Sequence, residues 1–176
     1  MRHPVGRFAA LLGLAALASC GYALVGRGTV VDPGIKRIGV PLFRDATAKP
    51  GLDQKITQKV IEELLKRGRF DVVPDSTGVD ALIEGEILAY APRLVGVGDQ
   101  GGRSQANRYE VTLTARVRYA KVGARDPIWA NDAFTFRDEY DVGDNAAAYF
   151  DREDQAIDRL AQSFARSLVA TMLEAF

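Results

Sequence analysis

Residues 108–122 read RYEVTLTARVRYAKV. Tyr109, Val111, Leu113, Ala115, Val117 and Tyr119 alternate there with Arg108, Glu110, Thr112, Thr114, Arg116 and Arg118. A period of two sustained this far predicts a strand of a sheet with one covered face and one wet face. The covered face needs partners, and the flanking sequence supplies them. Upstream, ALIEGEILAYAPRLV (81–95) places Ile83, Gly85 and Ile87 on one side and Glu84 and Glu86 on the other. Downstream, after a turn at Gly123–Pro127, IWANDAFTFRDEY (128–140) supplies another strand with less regular alternation. The stretch between the first two, GVGDQGGRSQAN (96–107), is polar and glycine-rich and reads as a long hairpin loop.

Two segments have the period of a helix. Leu52, Ile56, Val60 and Leu64 recur every four residues, with Ile61 and Leu65 beside them, after the break Lys49-Pro50-Gly51 and before Gly68. About 16 residues make this helix roughly 24 Å long. It lies between IKRIGVPLF (35–43), where Ile38, Val40 and Leu42 alternate, and FDVVP (70–74), a short buried strand. Pro41 cannot donate to a ladder and marks an edge or a strand end. Strand, helix and strand over this length imply a crossover and a parallel pair. At the C-terminus Ile157, Leu160, Phe164, Leu168 and Met172 form a second apolar stripe, with Asp144 or Asn145 as cap and Asp151, Glu153 and Asp154 early, where acids suit the helix dipole. The expectation is a two-layer α+β sandwich: a four- to five-stranded, mostly antiparallel sheet with two helices on one face.

The N-terminus reads differently. Arg2, His3 and Arg7 precede FAALLGLAALA (8–18), eleven uncharged residues. That run is too short to span a bilayer, which takes about 20 apolar residues. A positive start, a short apolar middle and a small-residue exit describe a secretory signal peptide, assigned to residues 1–19. The exit, Leu17-Ala18-Ser19-Cys20, resembles a bacterial lipobox, in which the cysteine becomes the first mature residue and is acylated. Cys20, the only cysteine of the chain, is then the point of lipid attachment. Buried methylenes contribute about 0.8 kcal/mol each, so two or more chains hold stably. The competing reading is an ordinary signal peptide with a chance cysteine. Gly21 replaces the aspartate that favours inner-membrane retention in double-membrane bacteria, which points to the periplasmic face of the outer membrane. Residues 20–34 then form a lipidated tether, and 35–176 a single domain.

Composition narrows the function. Residues 20–176 keep 21 Lys+Arg (the chain's 23 less Arg2 and Arg7) against 23 Asp+Glu. A net charge near −2 does not fit a nucleic-acid binder. The single histidine, His3, leaves with the signal peptide. The mature chain then has no imidazole and no free thiol. Ser-His and Cys-His nucleophiles are excluded, as are zinc sites built from Cys and His. The close carboxylates (Glu62 with Glu63, Glu84 with Glu86, Asp138 with Glu139) look solvated. No phosphate-binding loop is present, and Gly96, Gly98, Gly101 and Gly102 are followed by no phosphate-loop lysine and no helix signal. The chain reads as a non-enzyme with no cofactor and no metal.

Four stretches carry a resemblance. CGYALVGRG (20–28), IKRIGVPLFRDATAKPGLDQKITQKVIEELLKRGRFDVV (35–73), DALIEGEI (80–87) and AIDRLAQSFARSLVATMLEAF (156–176) resemble the lipopolysaccharide-assembly lipoproteins, the LptE-like family. The Cys-Gly-Tyr opening is the more specific part; the strand-helix-strand block is shared in style with other periplasmic lipoproteins. The resemblance implies a lipoprotein in the inner leaflet of the outer membrane. It would assemble with and plug a large outer-membrane β-barrel that delivers lipopolysaccharide to the outer leaflet, and could bind that lipid itself. The alternative is a regulatory periplasmic lipoprotein acting on a peptidoglycan synthase or a secretion channel. Only about 14 residues separate Cys20 from the first strand, and fully extended they span about 50 Å. That favours work close to the membrane.

Candidate lipid contacts follow from the strand pattern. Arg108, Arg116 and Arg118 share the wet face, with Arg93 and Arg103 at the hairpin end. Guanidinium groups suit the phosphates of lipid A. Against this, Glu84, Glu86 and Glu110 can neutralise the arginines across strands. The loop 96–107 also has two readings: mobile surface, or a tip entering a barrel lumen, whose interior is polar.

Overall fold

The computed structural model describes residues 34–100, 103–141 and 147–174, with the backbone alone described at 97–100, 103–107 and 147–151. The signal peptide, Cys20, the tether as far as Pro33 and the Asp144/Asn145 cap lie outside the described residues. The elements are β1 (Arg37–Gly39), β2 (Arg44–Asp45), α1 (Leu52–Lys66), β3 (Asp71–Val73), β4 (Ala81–Gln100), β5 (Arg103–Lys121), β6 (Trp129–Asp141) and α2 (Ala147–Glu174).

The strands form one sheet in the order β3-β1-β4-β5-β6, with β2 also beside β4. Arg37 faces Asp71 in the parallel β1–β3 pair that the crossover predicts. Strands β1 and β2 both run parallel to β4, whereas β4–β5 and β5–β6 are antiparallel. The α+β class stands. The sheet is mixed: its long ladders are antiparallel and its short ones parallel, and β2 makes a sixth strand.

Alternation along β5 builds the core. Val111, Leu113, Ala115, Val117 and Tyr119 are buried, as are Ile83 and Ile87 of β4. They meet Leu52, Ile56, Val60 and Leu64 of α1 and Ile157, Leu160, Phe164, Leu168 and Met172 of α2 in one continuous cluster. Phe134 of β6 lies edge-on to Phe164, ring centroids 5.4 Å apart. The helices lie side by side: the Lys55 ammonium donates to Asp154 at 2.7 Å and to Asp158 at 3.1 Å. Helix α1 stops as expected. Arg67 and Gly68 donate backbone N–H groups to Leu64 and Leu65, and Gly68 sits at φ 64°, a left-handed position that glycine takes without strain.

Four expectations are corrected. Leu42 does not continue the buried series of Ile38 and Val40; it is 56% exposed, and Phe43 is buried instead. The chain leaves the ladder around Pro41, the alternation shifts by one residue, and the Phe43 N–H donates to Thr57 Oγ1 at 3.0 Å. Leu65 is exposed too, at the flank of the α1 stripe. The strand at 70–74 is an edge strand with Val72 and Val73 half-buried rather than fully covered. Finally, 96–107 is not a long loop. The β4–β5 ladder continues to Gln100 opposite Arg103, and Gly101 and Gly102 lie outside the described residues. Register shifts at 87/89, 94/96 and 96/97 carry the extra residues.

Candidate functional site

The face of the sheet opposite the helices is the wet face that β5 predicts. Its residues come in cross-strand rows. Glu86 faces Arg116, and Glu84 faces Arg118, across β4–β5; Arg44 of β2 faces Glu86 from the other side. Further along come Ala89 with Thr114 and Ala91 with Thr112, then Arg93 with Glu110 and Gly96 with Arg108.

The expected basic strip is therefore divided. Arg116 and Arg118 lie at one end and Arg93 and Arg108 at the other. Eight residues of strand separate Arg108 from Arg116, roughly 27 Å, with the neutral Thr112–Thr114 region between. The side chain of Arg103 lies outside the described residues; its backbone opens β5 opposite Gln100.

Carboxylates meet most of these arginines. Arg116 Nη1 reaches Glu86 at 2.7 Å and its Nε lies 3.5 Å from Asp132. Asp132 arrives there through a register shift in β5–β6 between Ala115 and Val117. Arg93 pairs with Glu110 at 3.2 Å. Arg108 donates to Asp141 at 2.9 Å. That hydrogen bond, with the attraction of Asp141 and Glu139, holds the Arg108 guanidinium above its usual pKa. Arg118 behaves differently. It donates to the carbonyl of Arg125 in the β5–β6 turn at 3.2 Å, and among the described residues no carboxylate lies within ion-pair distance of it, although Glu84 is directly opposite.

The Arg116–Arg118 end opens into a cavity of about 470 Å³, the size range of small-ligand pockets. Its floor is Glu84, Gly85 and Glu86 of β4 with the two arginines of β5; its rim is Pro41, Leu42 and Arg44 from the β1–β2 stretch and Ser76 from the β3–β4 loop. The sequence reading missed that rim. It ended the first strand at Phe43 and could not see that Arg44 returns to the ladder beside Glu86. The local signal is Pro41, where a broken strand shifts the alternation and turns Leu42 and Arg44 toward the open face.

Comparison with known proteins follows from this fold. The family model for lipopolysaccharide assembly, LptE, matches residues 35–172. No curated protein sequence matches the chain. Among solved structures the chain is similar to a DUF330-family protein from Xanthomonas campestris, at 13% identity over 81% of this chain and 88% of that one, with a TM-score of 0.53. It is similar to a hypothetical protein from Chlamydia trachomatis, at 9% identity over 79% and 96%, TM-score 0.51. It is similar also to the PelC dodecamer from Paraburkholderia phytofirmans, at 13% identity over 81% and 91%, TM-score 0.50. Identities this low establish a shared fold and nothing more.

Proposed function

The chain belongs to the lipopolysaccharide-assembly family LptE, and from that premise we propose that it is a non-enzymatic outer-membrane lipoprotein, acylated at Cys20 and held on the periplasmic face. It assembles with a large β-barrel that passes lipopolysaccharide to the outer leaflet, and it plugs that barrel with the distal half of the β4–β5 hairpin.

The observation that carries this reading is the hairpin itself. The Tyr90 hydroxyl of β4 donates to Glu153 of α2 at 3.1 Å. The paired strands continue to Gln100; β6 flanks them only as far as Arg108, which faces Gly96 and Asp141, so β4 goes on for four residues beyond it as a two-stranded arm, roughly 13 Å. The end of this arm, GVGDQGGRSQAN, is polar and uncharged apart from Asp99 and Arg103. Barrel interiors are polar and water-lined, so such an arm matches a lumen and not a lipid-facing wall.

The arginines of the wet face add a second part of the reading. Arg108, Arg116, Arg118 and Arg93, with Arg103, are candidate partners for lipid phosphates. Exposed ion pairs are worth about 0–1 kcal/mol, so the carboxylates that hold Arg93, Arg108 and Arg116 lower a phosphate's gain without barring it.

The test is affinity purification of the full-length lipoprotein from outer membranes solubilised in mild detergent. The expected result is a co-purifying large β-barrel in near-equal amount. Replacing residues 97–106 by Asn-Gly should leave the fold intact and lose that partner. Recovery of a peptidoglycan synthase, or of no partner, would overturn the assembly reading.

A further inference from the structure

We propose that the cavity under Leu42 binds a phosphate ester that carries an ammonium group, the chemistry of phosphoethanolamine. The charges around it set that choice. Arg116 is engaged by both Glu86 and Asp132, a triad of net charge −1. That leaves three groups on the same cavity without an ion-pair partner among the described residues: the guanidinium groups of Arg44 and Arg118 and the carboxylate of Glu84. A bare phosphate would meet both arginines but lie beside Glu84, and like charges at this range repel. A bare amine would meet Glu84 but lie between the arginines. A zwitterion satisfies both signs. Two methylenes separate phosphate oxygen and ammonium in such an ester. Glu84 and Arg118 stand on neighbouring strands, roughly 4.8 Å apart at the backbone, within reach of that span.

The rim adds further matches. Ser76 brings a hydroxyl to the cavity. Pro41 and Leu42 form an apolar lip, and Leu42 is left largely in water beside it. A glycerol backbone leaving the phosphate would cover that lip, which favours a lipid headgroup over a free small molecule. The inference stands apart from barrel assembly and does not use Arg93 or Arg108.

The experiment is titration calorimetry on the full-length lipoprotein in uncharged detergent micelles. The probes are glycerophosphoethanolamine, O-phosphoethanolamine and inorganic phosphate. Both ethanolamine esters should bind about tenfold or more tightly than phosphate, the scale of one charge-assisted hydrogen bond. Arg44→Gln and Arg118→Gln should each weaken them by a similar factor. Glu84→Gln should abolish the preference over phosphate, and Arg166→Gln, an exposed position on α2, should change nothing. All four positions are on the surface, so the variants keep the fold. Tighter binding of the glycerol diester would identify a lipid headgroup and tighter binding of the monoester a soluble metabolite; either supports the site. Equal affinity for phosphate with no effect of Glu84→Gln, or no saturable binding of any probe, would overturn it.

Discussion

Gly85 lacks a side chain because Phe43 occupies the place where one would stand. A Cβ added there would collide with the Phe43 ring, which is itself 1% exposed and fixed through its N–H to Thr57. Gly85→Ala should therefore destabilise the domain by about 1–3 kcal/mol, and Phe43→Ala by about 3–5 kcal/mol. The ring that clashes in the first variant is absent in the second, so the double variant should cost less than the sum. Urea midpoints of the four proteins decide this, and simple additivity would contradict the contact. Asp80 acts at the same scale. Its carboxylate accepts N–H groups from Arg37 at 2.8 Å and Lys36 at 2.9 Å at the entry to β1, and these bonds hold its pKa below the usual carboxylate value. A depressed folded pKa gives stability that is present above the unfolded pKa and lost as pH falls through the folded one. Asp80→Asn should thus lower the unfolding temperature at pH 7, and the gap should close as the buffer is taken down through the carboxylate range. A gap that persists undiminished in acid would rule the charge out.

Elements show which parts of the fold the alternation could reveal. Where a helix covers β4 and β5, every second side chain is buried and the strand is evident from Tyr109 to Tyr119. Beyond Gly96, where Arg108 and Asp141 end the β6 ladder, the sequence has no such stripe. The ladder persists on backbone hydrogen bonds through Gly96 and Gly98, and residues rich in glycine read as loop. Strand β6 was ambiguous for another reason. The register shift that sets two residues opposite Arg116 puts Asn131 across from Val117 and Phe134 across from Ala115. Period two is then interrupted mid-strand, as it is at Pro41. The candidate site was legible in part: the arginines of β5 follow from parity, but the Arg44 rim depends on a parallel pairing between distant segments that no local pattern records. Helix pairing was legible as two stripes, and the structure adds its clamp. Burial works against the Lys55 ammonium, but the hydrogen bonds it donates to Asp154 and Asp158 outweigh it and raise its pKa. A raised lysine pKa gives stability present below the ordinary value and lost as pH rises past the folded one. Lys55→Met should cost about 0.5–1 kcal/mol at pH 7, less in high salt and less again in strong alkali, as read from urea unfolding.

The whole molecule has one core, and its continuity ties the hairpin arm to both helices. Helix α1 sits in the parallel crossover between β1 and β3; α2, the last element, covers the antiparallel half. Neither half of the covered face would be closed without the other helix. The two share buried contacts across Ile56, Val60, Leu64, Leu160, Phe164 and Leu168, all 0% exposed. Such a core should unfold in one step. Trp129, the only tryptophan, reports on β6: it lies edge-on to Phe134 at 6.2 Å, and Phe134 packs on Phe164 of α2. Val60→Ala removes two methyl groups from α1, in the other half of the domain. It should cost about 2 kcal/mol and shift the tryptophan fluorescence midpoint and the helical circular-dichroism midpoint together. Separate midpoints would mean that the crossover half and the antiparallel half melt independently. The distinction reaches function. An arm that continues roughly 13 Å past the end of β6 magnifies any looseness at its base, so a tip that must find a barrel lumen needs β4 and β5 held by the entire core. If the midpoints coincide, a cavity at Val60 should leave the arm's aim unchanged and barrel recovery intact until the whole domain unfolds.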